Sequence, residues 1–146
     1  MRKFLFALVC LLGLSAQASL NNQNNPHVLC VPLGSPSADD TILAGLIGKQ
    51  IQITGVSMLN EASIAASNTD FVQIELRKGA TVVAELDSRA AHENGLAAST
   101  KEPLNLVSAQ ATVAADSVLS VVYNETDTGT VVALTGAVLC LDYWAR

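Results

Sequence analysis

Basic residues are scarce in this chain. Eight Lys and Arg face thirteen Asp and Glu over 146 residues, and the net charge is −5. Nucleic acid and anionic membrane both call for a basic surface, so this balance argues against either as a partner. Aromatic residues are equally thin at 4%, which leaves little from which to build stacking platforms for bases or sugars. Catalytic spacings are missing as well. His92-Glu93 lacks the second histidine four positions after the first that a zinc-protease helix uses, because Leu96 stands there. The sequence has no G-x-S-x-G elbow and no glycine-rich phosphate loop, and neither His27 nor His92 has a nucleophile partner at a motif spacing. Neither histidine is spaced from a cysteine pair as a metal ligand would be. The expectation is a non-enzymatic protein with no cofactor. A hydrolase assembled from distant residues would need His92 beside a serine or carboxylate in space.

Long apolar runs are also absent, apart from Phe4 to Leu14. At about a dozen residues this run is shorter than the roughly 20 needed to span hydrocarbon as a helix, so no permanent membrane anchor is expected. It follows Met1-Arg2-Lys3 and ends at Ser15-Ala16-Gln17-Ala18-Ser19, the layout of a cleaved secretory signal with an A-x-A site. Val9 stands where a lipoprotein signal would need a small residue before Cys10. Residues 1–18 are therefore read as a signal peptide and the protein as exported to the periplasm, cell surface or medium. Residues 19–26, rich in Asn, form a lead-in with nothing to bury, and 27–146 is one domain. Removing Arg2 and Lys3 leaves six basic against thirteen acidic residues, a net charge of −7. Two cysteines remain, Cys30 and Cys140, and in an oxidising compartment an even pair reads first as a disulfide, with two buried thiols as the alternative.

Along the domain, β-patterning dominates. His27 to Leu33 is short and β-rich, and Pro32 marks an edge or a strand end, since proline cannot donate to a ladder. Gly34 to Asp40 is a turn cluster. Ile51 and Ile53 share a face, and Val56 and Met58 resume the alternation out of phase after Gly55, which predicts a β-bulge. Glu61 to Ala66 is a weak helical turn at most. Val72, Ile74 and Leu76 alternate with polar residues as a strand buried on one face. Lys78-Gly79 turns the chain into a hairpin partner with Val82, Ala84 and Leu86 inward. Ser88 to Thr100 is a loop, Leu104 and Leu106 begin a short strand, and Ala115-Asp116-Ser117 turns into Val118 to Tyr123. Asn124 to Gly129 is another loop, and a β-prone run follows from Thr130 to Trp144, with Gly136 as a bulge or hairpin tip. Seven or eight antiparallel strands without a strong helix predict an all-β sandwich, jelly-roll-like, and a Cys30–Cys140 bridge would make its terminal strands neighbours.

Acidic loop residues raise the question of calcium, which clustered carboxylates and carbonyls bind at the ends of sandwiches. The candidates are Asp39 and Asp40, Asn68 with Asp70, and Glu125 with Asp127. None has the spacing of a defined calcium loop, and the competing reading is solvated turn residues. Asn124-Glu125-Thr126 matches a glycosylation acceptor. Tyr143-Trp144 would either cover the end of the core or dock on a partner.

The stretches Ile51-Gln52-Ile53-Thr54-Gly55-Val56, Asn68 to Gly79 and Val113 to Val121 resemble, in their order, the β-sandwich domains of phage head-decoration and fibre proteins. The resemblance covers about residues 50–129. It implies a jelly-roll protein, often trimeric, on a capsid or appendage, with no catalytic residues to carry over. A virion protein assembled in the cytoplasm needs neither a signal peptide nor a disulfide, and an exported surface protein using the same sandwich accounts for both. The functional expectation is a structural or assembly subunit, a homo-oligomer with a trimer favoured. The alternative is a secreted carbohydrate- or receptor-binding module, calcium-assisted or not.

Overall fold

The computed structural model describes residues 26–36, 38–92, 95–128 and 131–146, the side chain of His92 excepted. The signal peptide, the lead-in as far as Asn25 and the His92-Glu93-Asn94 side chains lie outside the described residues.

Ten strands follow one another: β1 (His27–Gly34), β2 (Asp40–Ile47), β3 (Ile51–Leu59), β4 (Phe71–Lys78), β5 (Thr81–Asp87), β6 (Glu102–Pro103), β7 (Asn105–Leu106), β8 (Thr112–Val113), β9 (Ser117–Thr126) and β10 (Ala137–Ala145). They form two antiparallel sheets. One has the order β1-β10-β3-β6, with β8 also on β3, and the other the order β2-β9-β4-β5-β7. The pairings β1·β10, β2·β9, β3 with β6 and β8, and β4·β5 are those of one long hairpin folded over on itself. That is the jelly roll.

Apolar residues point between the sheets, and the core includes Ile53, Met58, Val72, Ile74, Leu76, Val83, Leu119, Val121, Tyr123, Leu139 and Leu141, none more than 1% exposed. The alternation read for β4 is confirmed by the burial of Val72, Ile74 and Leu76. The phase slip near Gly55 is a bulge: Tyr143 pairs with Ile53 and Asp142 with Gly55, leaving Thr54 over. Cys30 and Cys140 are bonded and lie directly opposite in the β1·β10 ladder. Because β1 is an edge strand, Pro32 costs the ladder nothing there.

Several expectations need correction. Asp40 to Ile47 is a full strand, β2, where no strand was expected and Asp40 was read as the end of a turn cluster. In β5 Ala84 and Leu86 point inward as expected, but Val83 is buried in place of Val82, which is only half-buried, because a bulge at Val83 sets Arg77 opposite Val82 and Leu76 opposite Ala84. Glu61 to Ala66 forms no helical turn; its Ile64 bridges to Leu96 instead. The expected strand at Leu104 and Leu106 is two short pieces, β6 on one sheet and β7 on the other, because the Leu104 N–H donates to Val56 O and the Val107 N–H to Val83 O. Asn124, Glu125 and Thr126 belong to β9 and not to a loop, so the glycosylation triplet sits in a central strand with Asn124 half-buried. Gly136, at φ +53°, turns the chain into β10.

Candidate functional site

Strand β2 runs the length of the sandwich, and its two ends differ in chemistry. Near its start lie the carboxylates that the sequence singled out. Asp39 Oδ1 accepts from the Glu125 N–H at 2.8 Å, and Glu125 Oε1 from the Val132 N–H at 2.6 Å. Asp70 Oδ1 accepts from the N–H and hydroxyl of Thr128, at 2.7 and 3.0 Å, and Asp40 Oδ1 from the Thr41 N–H at 2.7 Å. Asn68 Oδ1 caps the Ala91 N–H at 3.0 Å. These oxygens staple loops to strand ends, which is what acidic turn residues do when the backbone leaves N–H groups over. Among the described residues, no group of three or more His, Cys, Asp or Glu is arranged to hold a metal ion, so Asp39, Asp40, Asp70, Glu125 and Asp127 are not brought together as a cation cage.

The same end buries Tyr123, whose hydroxyl donates to Val132 O at 2.5 Å. Burial first, then the charges of Glu125 and Asp39, push its phenol up to about 12. Each of these causes disfavours the phenolate. Val131, next to Val132 whose N–H donates to Glu125, is 62% exposed. This end therefore carries an exposed valine one residue from a bond to a carboxylate.

At the opposite end the sheets part around a groove of about 710 Å³. Its floor is apolar, from Leu29, Leu46, Ile47, Ile51 and Ala145. Tyr143 forms one wall, packed against the core and stacked on His27 at 5.3 Å between ring centroids. The rim carries Lys49 and Arg146, and no carboxylate lines it. The other cations of the domain are occupied: Arg77 with Glu75, Arg89 with Asp87, Lys101 with Asp142, and Lys78 on the carbonyls of Gln110 and Thr112. Lys49 and Arg146 have no ion-pair partner among the described residues. The Arg146 N–H bonds to Gln50 O at 2.8 Å, anchoring the end of β10 at this rim.

A third feature joins the two ends. Among the described residues β2 pairs with β9 alone, so its other edge is open. It presents Leu43 at 69% and Leu46 at 68% exposure, with Val118 of β9 opposite Leu46 on the same outer face. Edge strands are ordinarily guarded by lysine, proline, inward charge or a bulge; β2 contains neither lysine nor proline, and its one such device is the bulge at Ala44.

Sequence reasoning named the acidic residues, and the assembly reading implies an apolar patch at a sheet edge or flank, but it did not place that patch on β2 and it missed the groove. Tyr143 was expected to cover the end of the core, and it does so while lining the groove. Lys49, Leu46 and Arg146 carried no signal, since only the fold brings residues near 27, 49 and 146 to one place. The polar brackets of the loops were missed too. Asn60, 2% exposed, accepts from the Thr135 N–H at 2.7 Å and donates to Ala62 O at 2.6 Å. Ser88 Oγ accepts from the Val72 N–H at 2.9 Å. Asp87 is desolvated, which alone would raise its pKa, but hydrogen bonds from the Arg89 side chain and backbone and from Gln73 outweigh this and lower it.

No protein-family model and no curated protein matches the chain. A chain in the solved structure of infectious bursal disease virus, Gx strain, is similar to this one at 14% identity and a TM-score of 0.30, over 84% of this chain and 38% of that one.

Proposed function

We propose that this protein is a non-enzymatic structural subunit that assembles with copies of itself, on the exterior of a cell or virion, as phage-type decoration proteins do. The observation that supports this reading is the open edge of β2, where Leu43, Leu46 and Val118 form an apolar stripe along a strand with free backbone groups. A lone soluble domain gains nothing from such an edge and risks aggregation by it. A neighbouring copy would bury it. Export accords with the Cys30–Cys140 bridge, which an oxidising compartment maintains. A closed trimer is the form that the resemblance to decoration proteins favours.

The test is the native mass of the chain, purified with its disulfide intact, by light scattering over a range of concentrations. A closed oligomer is expected, and Leu43→Lys with Val118→Lys should shift it to monomer while leaving the melting temperature nearly unchanged, since surface changes of this kind cost within about 0.5 kcal/mol. A wild-type monomer at every concentration would rule the assembly reading out.

A further inference from the structure

We infer that the groove and the acidic end are the two halves of one head-to-tail contact, in which Val131 of one copy seats on the Leu46–Ile51 floor of the next between Lys49 and Arg146. This rests on the assembly reading and names the surfaces that meet. The complementarity is twofold. The groove is apolar inside and cationic at the rim, in a protein that is otherwise acidic. The opposite end carries an exposed apolar residue, Val131, whose neighbour Val132 donates to the Glu125 carboxylate, and the Glu125 N–H donates in turn to Asp39. The nearest carboxylate to the groove along β2's neighbour, Asp116, has its N–H bonded to Ile47 O at 2.6 Å and its side chain outside the lining.

The two surfaces lie at opposite ends of β2, seven strand steps or roughly 23 Å apart at about 3.3 Å per step. One copy cannot join its own halves across that distance, so the contact must run between copies. A contact between two different patches is heterologous: repeated with a closing rotation it makes a ring such as a trimer, and without closure a filament. Leu46 belongs both to the groove floor and to the exposed stripe, so the open edge of β2 continues into the same footprint.

The test uses two variants of the full chain. Lys49→Glu with Arg146→Glu reverses the rim and leaves the acidic end intact. Asp40→Asn with Val131→Asn spoils the knob and leaves the groove intact. All four positions are exposed, and circular dichroism and melting temperature check that each variant folds. Each alone should be monomeric at concentrations where the wild type is assembled, with a dissociation constant raised at least tenfold, on the order of one interfacial charge pair lost. Mixed in equal amounts, they should form a dimer and nothing larger, because only one intact groove and one intact knob can meet. The wild-type assembly should also weaken in 1 M salt, where the screening length falls to about 3 Å. If the rim variant assembles like the wild type while Leu43→Lys with Val118→Lys does not, copies meet through the edge alone and the head-to-tail contact is wrong. If the mixed variants stay monomeric, the groove takes an acidic partner other than this chain, and the inference is equally overturned.

Discussion

Tyr123 shows how much one buried phenol does in this fold. It fills the core at 0% exposure and its hydroxyl ties the segment before β10 to β9 through Val132 O. Tyr123→Phe keeps the volume but strands that carbonyl, which should cost about 1 kcal/mol. The ionisation gives a second, pH-dependent signature. The phenol has a pKa of about 12 in the fold against 10.0 ordinarily, so the folded state holds its proton more tightly. Its contribution is intact below pH 10 and is lost as pH rises from about 10 through about 12. Urea midpoints at pH 9 and pH 11 should therefore fall further apart for the wild type than for Tyr123→Phe; equal falls would deny the group its role. The acidic turn residues have work at this same scale. Sequence shows that Asp39, Asp70 and Glu125 are acidic and near turns, but not that each already has a backbone N–H to satisfy.

At the scale of elements, bulges decide what sequence can reveal. β4 has none on its β9 side and reads as perfect alternation. β2 has an extra residue at Ala44, so that Ile42, Ala44, Gly45 and Ile47 turn inward while Leu43 and Leu46 turn outward. That sequence of faces has no period of two, and the strand is invisible to a search for one. The same kind of slip at Val83 takes Val82 off the core face of β5 while Ala84 and Leu86 stay on it. Gly45 sits at φ +147° with nothing within 4 Å of where a Cβ would stand. Gly45→Ala should thus lose on the order of 1–3 kcal/mol from backbone strain alone, read as a lower melting temperature. An unchanged melting temperature would mean that the bulge relaxes at no cost.

For the molecule as a whole, the chain closes on itself. The first and last strands are neighbours, and the Cys30–Cys140 bond spans 110 residues on the outer face of their sheet. On the chain-entropy model such a loop stabilises the fold by about 4–5 kcal/mol, less any native strain. Cys30→Ser with Cys140→Ser should lower the melting temperature by on the order of 10–20 °C and keep the far-ultraviolet spectrum of a β protein. A variant as stable as the wild type would show that the β1·β10 ladder alone holds the ends. A jelly roll pairs its most distant segments, so refolding should be slow, in the range of milliseconds to seconds.

What the sequence determined by itself is the class: an all-β domain, its strongest strand β4, the bulge near Gly55 and an even pair of cysteines outside the signal segment. These follow from periodicity and from residue types whose local preferences agree with the fold. The tertiary structure alone decided the strand order, the presence of β2, the division of the Glu102 to Val113 segment between sheets, and the joining of His27, Lys49, Tyr143 and Arg146 around one groove. The reason is physical. Alternation specifies which face of a strand is buried, but which strand lies beside which is set by pairing across the whole chain, and surface chemistry is assembled only when that pairing is complete.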